Sequence, residues 1–189
     1  MDPLPVIHTI GHSTRSLVEF TGLLAESAIG CIVDVRRFPG SRAYPHFNAE
    51  PLAAALASHG IGYWHAAVLG GRRRAGEVAS GGSDGFWTNA SFARYAAHAR
   101  TAAFRDALRA LQDRSADQRC ALMCAEAVWW RCHRRIIADH LLALGHPVLH
   151  ILGAANVVAA ELTSGAHVRD GDVVYPGQGS LFDVPAGDR

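Results

Sequence analysis

A chain of 189 residues fits one domain or slightly more and should bury roughly 70% of its extended surface, so no disulfide or metal staple is required. Hydrophobic residues make up 49% and charged residues 19%, with mean hydropathy +0.07, which excludes a disordered or collagen-like chain. A formal charge of +1 gives no general attraction for polyanions, so any nucleic-acid surface has to be a local patch.

All 18 basic residues are Arg, a skew that with abundant Ala reads as coding bias and lowers the weight of any single Arg. No apolar run approaches the roughly 18 residues of a membrane span, and the opening MDPLPVIHTIGH has neither a basic nor an apolar leader region. Cys31, Cys120, Cys124 and Cys132 form no C-x-x-C pair. The expectation is a cytoplasmic protein with free thiols and no membrane partner.

Residues 6–10 form a short apolar run that stops at Gly11-His12-Ser13, and Ser16 with Glu19 reads as a capping box opening a helix that ends at Gly30. Residues 31–35 are a second apolar, β-branched run, read as a buried strand. Residues 38–45 are a loop, 48–59 a short helix closed by Gly60, and 61–64 a third strand. A long irregular connection covers 70–89, of a length that usually serves function. The spacing of Phe92, Tyr95, Ala99, Ala103, Ala107 and Leu111 predicts one helix over 91–114. A fourth strand at 120–124, a helix over 131–144 and a fifth strand at 147–152 complete the alternation.

Five strands with helix-length crossovers predict an α/β fold: a single doubly wound, mostly parallel five-stranded sheet flanked by helices, Rossmann-like, in order 3-2-1-4-5 or 2-1-3-4-5. The domain spans 1–162, and 163–189 reads as a C-terminal extension with at most one short strand and a flexible tail.

In such sheets ligands bind beyond the carboxyl ends of the strands. Four strand ends carry polar groups: His12 and Ser13, Asp34 and Arg36, the Gly70-Gly71 loop, and Cys124 with Glu126. Cys132, His133 and Arg134 follow at the start of the last long helix, where the dipole and neighbouring cations favour a thiolate, above all at Cys132. Glu126 can act as a base or stabilise positive charge, and Arg36 or Arg134 can clamp an anion. The bland alternatives are core packing for Cys31, Cys120 and Cys124, an ion pair of Glu126 with Arg36 or Arg134, and capping for His12 and Ser13. Cys124, Cys132 and His133 follow C-x7-C-H, which matches no common zinc spacing, so no metal or other cofactor is expected. Cys124 and Arg131 are one residue too far apart for a phosphatase-type loop.

At 100° per residue Arg94, His98, Arg105 and Arg109 share one side of the 91–114 helix, and with Arg72, Arg73 and Arg74 they could track a phosphate backbone. An ordinary solvated face is the competing reading.

Together these motifs resemble the bacterial and archaeal domain of unknown function (DUF) 488 family. The resemblance is carried by Thr9-Ile10-Gly11-His12-Ser13, Asp34-Val35-Arg36, Pro39-Gly40-Ser41, Leu69-Gly70-Gly71, Cys124-Ala125-Glu126 and Cys132-His133-Arg134, in order over residues 7 to about 152. It implies an α/β domain with a polar pocket built from those loops, and leaves the reaction open. Trp129 and Trp130 stand where a more polar linker is expected, and would either stack on a planar ring or pack in the core.

The expected function is an enzyme acting on a nucleotide, nucleobase or nucleic-acid end. Cys124, Cys132, His133, Glu126, Asp34 and His12 would be its catalytic groups, and Ser13, Arg36, Ser41, Gly70, Gly71 and Arg134 its ligand contacts. The alternatives are a non-catalytic ligand- or DNA-binding module of a repair assembly, and a thiol-dependent sulfur or redox enzyme. Near the C-terminus Gln178, Leu181 and Phe182 resemble the peptide by which bacterial repair proteins dock on the sliding clamp, which would add that partner.

Overall fold

Every residue of β1 (Ile7–Gly11), β2 (Cys31–Asp34) and β4 (Cys120–Cys124) is buried, as expected of strands covered on both faces. The computed structural model describes residues 3–74, 76–77, 85–169 and 171–177. With β3 (Gly62–His65), β5 (Val148–Gly153) and β6 (Asn156–Ala159) these strands form one sheet in the order β3-β2-β4-β1-β5-β6. All pairings are parallel except β5 with β6.

The expected mostly parallel sheet flanked by helices is present, but its five strands are corrected to six with one antiparallel edge, and neither expected order is found. β6 escaped notice because its residues are exposed and carry no alternating pattern. The chain inserts β4 between β2 and β1, which gives its wholly apolar Cys-Ala-Leu-Met-Cys sequence two strand neighbours and a helix layer on each side.

Side-chain alternation along the strands divides the core. Ile10, Ile32, Ala121 and Met123 pack with Phe20 and Leu24 of α1 (Leu17–Glu26) and Leu52 and Leu56 of α2 (Ala49–Ser58). Cys31, Val33, Cys120 and Leu122 face Tyr95 of α3 (Ala90–Ala99), Phe104 and Leu111 of α4 (Ala102–Asp117), and Ile137 of α5 (Arg134–Ala143). The Ser16–Glu19 capping box is present in full, a feature of about 1 kcal/mol. α1 stops at Glu26, short of Gly30, because Ala28 turns to φ 50°.

The helix expected over 91–114 is two helices. Thr101 takes an extended conformation, and its hydroxyl accepts from the Phe104 amide at 3.3 Å, capping α4. The angular count that aligned four basic residues therefore fails across Arg100 and Thr101. α5 begins at Arg134, after a 3-10 turn at Trp129–Arg131.

Beyond residue 162 two strands, β7 (His167–Arg169) and β8 (Asp172–Val174), make an antiparallel hairpin where at most one was expected. Val173 and Tyr175 are buried in the α3–α5 side of the core. The Tyr175 hydroxyl donates to Asp139 at 2.7 Å, and the Thr163 amide donates to the other oxygen at 2.8 Å. Among the described residues no helix is long and apolar enough to cross a membrane.

His8, His140 and His150 are buried, each with a ring nitrogen that has no partner. Desolvation lowers all three from 6.5 to about 4. Between those values the unfolded chain binds protons that the folded chain refuses, so stability falls as pH falls. Burial raises the Asp139 pKa, which acts in the opposite sense in acid but is one group against the several lowered histidines. The melting temperature is expected to drop continuously from pH 6.5 to 4, measured by scanning calorimetry; a flat profile would contradict the burial of these rings as neutral groups.

Candidate functional site

Placing β4 between β1 and β2 brings three strand ends together, with Gly11 paired to Cys124 and Asp34 to Met123. A cleft of about 640 Å³ opens above them. Its lining includes His12, Ser13, Arg36, Ser41, Gly71, Arg72, Cys124, Glu126, Cys132 and His133 from the sequence reading. Arg37, Phe38, Tyr44, Asn89, Phe92, Tyr95 and Arg131 complete most of the wall. Helical spacing marked Phe92 and Tyr95 only as core positions, and the others lie in turns and loops whose convergence depends on strand order.

On the β2 side Asp34 is fully buried and paired with Arg36, whose Nε and Nη2 reach its two oxygens at 2.8 and 2.5 Å. The Tyr63 hydroxyl donates to the same carboxylate at 2.7 Å, and burial with this contact pushes the phenol above its ordinary range. Arg36 also donates through Nη2 to the Phe47 carbonyl at 2.7 Å and through Nη1 toward His12 Nε2 at 3.4 Å. Asp34 is therefore spent on positioning Arg36 and does not line the cleft.

The tautomer of His12 follows from its partners. The Ser13 carbonyl only accepts, so Nδ1 donates to it at 3.0 Å, and Nε2 offers its lone pair to Arg36. Desolvation, helped by the Arg36 charge, lowers His12 to about 4, so the ring is neutral at pH 7. It stacks on Phe47 with centroids 4.2 Å apart. Ser13 is held in the left-handed region at φ 48°, a costly conformation for a residue with a side chain, while its amide donates to the Ala125 carbonyl at 3.0 Å.

On the floor Cys124, Cys132 and His133 meet. Their donor atoms lie within 4.8 Å of one another, with His133 Nδ1 at 4.0 Å from the Cys124 sulfur and 3.6 Å from the Cys132 sulfur. His133 Nε2 donates to the Val35 carbonyl at 2.9 Å, so Nδ1 is the atom turned to the sulfurs. Arg134 is buried behind them, donating from Nε to the Cys132 sulfur at 3.4 Å, from Nη1 to Thr9 at 3.3 Å and from Nη2 to the Glu126 carbonyl at 2.6 Å. Burial opposes ionisation of Cys132, but the Cys124 thiol, His133 and Arg134 outweigh it and hold its pKa well below the ordinary thiol value. Cys124, as the proton donor in the pair and itself buried, is pushed up.

Glu126 is exposed at the rim, and among the described residues its carboxylate forms no ion pair. The alternative pairing with Arg36 or Arg134 does not occur, since Arg36 takes Asp34 and Arg134 takes the Glu126 backbone. Gly70 lies behind the cleft, where a Cβ would come within 2.8 Å of the Arg37 backbone. At Gly71 a Cβ would lie 2.9 Å from His133 Nδ1. Trp129 stacks on His150 with centroids 4.5 Å apart, and Trp130 packs edge-on to Trp129. Neither reaches the cleft, whose aromatic walls are Phe38, Tyr44, Phe92 and Tyr95.

The basic stripe dissolves. Arg73 donates to the carbonyls of Gly70, Ala67 and Val68, and Arg94 to Arg73 and Ser91. His98 is buried against the Val68 carbonyl, Arg105 pairs with Asp172, and Arg109 pairs with Asp106. Arg74 is exposed and lies outside the cleft. The clamp-type residues Gln178, Leu181 and Phe182 lie outside the described residues.

An α/β sheet with a sulfur, imidazole and guanidinium cluster at its strand ends defines the class of site. The family model described as "Domain of unknown function DUF488" matches residues 16–141, and the chain belongs to that family. The match contains every motif of the cleft except Thr9–Ser13, which lies just before it. No curated protein and no solved structure matches the chain.

Gly11 joins the two halves of the site. A Cβ there would overlap the Glu126 carbonyl, the acceptor of Arg134. Gly11→Ala must therefore displace backbone, and is expected to cost about 3 kcal/mol. Chemical denaturation of the two proteins tests this; equal midpoints would mean that the Glu126 peptide is not held against β1.

Proposed function

We propose that the protein is an enzyme that binds a small anionic, nucleotide-like molecule in this cleft and acts on it at the Cys124, Cys132 and His133 floor. The observation that carries the reading is the coincidence, in one cavity, of unneutralised cations, aromatic walls and soft nucleophilic donors. Asp34 neutralises Arg36, and Glu77 neutralises Arg37 at 2.8 Å. Arg72 and Arg131 remain on the wall without an ion pair among the described residues, which suits them to a phosphate or carboxylate.

Phe38 and Tyr44 offer faces for a planar ring, and Phe38 is 63% exposed before any ligand covers it. The volume is in the range of small-molecule sites. The Ser13 hydroxyl at the end of β1 gives the ligand a hydrogen-bonding group beside the floor, neutral His12 holds Arg36 from the same turn, and Glu126 supplies a carboxylate at the rim. A DNA-tracking role loses support because the side chains of Arg73, Arg94, His98, Arg105 and Arg109 are taken up by intramolecular contacts, which leaves Arg72 and Arg74 exposed.

Calorimetric titration with nucleoside monophosphates and the matching nucleosides tests the reading. The phosphorylated forms are expected to bind at least about tenfold more tightly, the equivalent of about 1.4 kcal/mol. Arg131→Ala should remove most of that increment and leave nucleoside affinity unchanged. Equal affinity of both ligand types for the wild-type protein, or no binding of either, would overturn it.

A further inference from the structure

The floor of the cleft has a geometry that thiol chemistry alone does not require. A tetrahedral zinc ion with Zn–S near 2.3 Å and Zn–N near 2.0 Å places sulfur about 3.5 Å from nitrogen and two sulfurs about 3.8 Å apart. His133 Nδ1 stands 3.6 and 4.0 Å from the two sulfurs, and all three donor atoms fall within 4.8 Å. Movements of well under an ångström to about an ångström would bring them onto a common ion.

The surroundings are also those of a ligand set. A histidine that binds metal through one nitrogen almost always commits the other to a carbonyl or carboxylate, which fixes its orientation. His133 Nε2 is so committed, to Val35 at 2.9 Å. The Cys132 sulfur receives an N–H from Arg134 Nε at 3.4 Å, and the guanidinium lies behind both sulfurs. Both favour sulfur carrying negative charge, as a metal ligand must. Gly71 keeps the space beside Nδ1 clear, since a Cβ there would sit 2.9 Å from that atom.

We infer that Cys124, Cys132 and His133 bind a zinc ion through two sulfurs and Nδ1, leaving a fourth position that opens into the cleft. All three residues line the cavity, so this position is reachable by water or by a donor atom of the ligand. Three protein ligands and one open position are the arrangement of a catalytic zinc, whereas structural zinc takes four protein ligands. The inference deepens the proposed function by naming the group at the floor, and rests on that reading only for the role of the ligand. The C-x7-C-H spacing argued against a metal only along the chain. In space, the end of β4 and the residues leading into α5 deliver the donors from two elements.

The test uses the full chain, purified under reducing conditions and stripped with a chelator. Cobalt(II) alone is titrated in as a spectroscopic probe. One equivalent is expected to produce tetrahedral ligand-field bands and thiolate-to-cobalt charge transfer, displaced stoichiometrically by zinc. Cys132→Ser should lower the charge-transfer intensity by about half. His133→Ala should weaken cobalt binding by at least tenfold, and Cys31→Ala should leave the spectrum unchanged.

The wild-type spectrum decides the matter even where a variant fails to fold. A folded, reduced wild-type protein without these bands would overturn the site. So would a readily formed Cys124–Cys132 disulfide with no cobalt affinity in the reduced state, which would mark a dithiol redox pair instead. Adding a nucleoside monophosphate should shift the ligand-field bands of the cobalt form. Bands that form but ignore nucleotides would leave the metal site standing and count against the proposed ligand; nucleotide binding without bands would do the reverse.

Discussion

The site depends on how a buried guanidinium is satisfied. Arg134 is among the largest fully buried side chains of the protein, and among the described residues it has no carboxylate partner. Leaving such a charge without compensation would cost several kcal/mol, so its contacts must do the work: the Cys132 sulfur, the Thr9 hydroxyl and the Glu126 carbonyl. Those three contacts join β1, the turn after β4 and the start of α5. The guanidinium also adds to the Cys124 thiol and His133, the larger influences, in holding the Cys132 pKa down. Sulfur charge and fold integrity thus share one interaction.

Arg36, on the other side of β4, is handled in the opposite way. A buried carboxylate fixes it, and Tyr63 and the Phe47 carbonyl complete the arrangement. The consequence is a difference in chemical freedom. Asp34 and Arg36 form a closed pair that shapes one wall, while the Arg134 side leaves its anionic partner, a sulfur, facing the cavity. Gly11 keeps the two sides at their required separation, because the Glu126 peptide that Arg134 grips crosses directly over it.

What was legible in the sequence was local. The Ser16–Glu19 cap, the ends of β1, β2 and β4, and the polar residues that follow each strand depend on neighbours within a few positions. Strand order was not legible, because the placement of β4 is decided by burial on both faces of the sheet. With it went the knowledge that Asp34 would lie beside Met123, or that Arg131 and Phe92 would share a wall. The 91–114 helix misled for a related reason: its apolar spacing continues through Thr101 although a hydroxyl cap breaks the backbone there. For Glu126 the sequence offered an ion pair with Arg36 or Arg134 as the alternative to a chemical role, yet the turn exposes its side chain and commits only its carbonyl to Arg134.

The distribution of charge sorts the cleft into layers. At the floor, neutral His12 and the sulfur and imidazole cluster sit where desolvation is strongest, and there the protein tolerates charge only when it is matched at contact distance. Midway, Arg36 and Arg37 are cancelled by Asp34 and Glu77, so they contribute shape and hydrogen-bond donors more than long-range field. At the rim Arg72, Arg131 and Glu126 remain in water, where unpaired charge costs little. A ligand entering such a cavity meets free charge first and reactive donors last. On the proposed reading, an anionic group would be held at the mouth while the less polar part of the ligand would descend between Phe38 and Tyr44, which would orient the molecule end-on toward Cys124, Cys132 and His133.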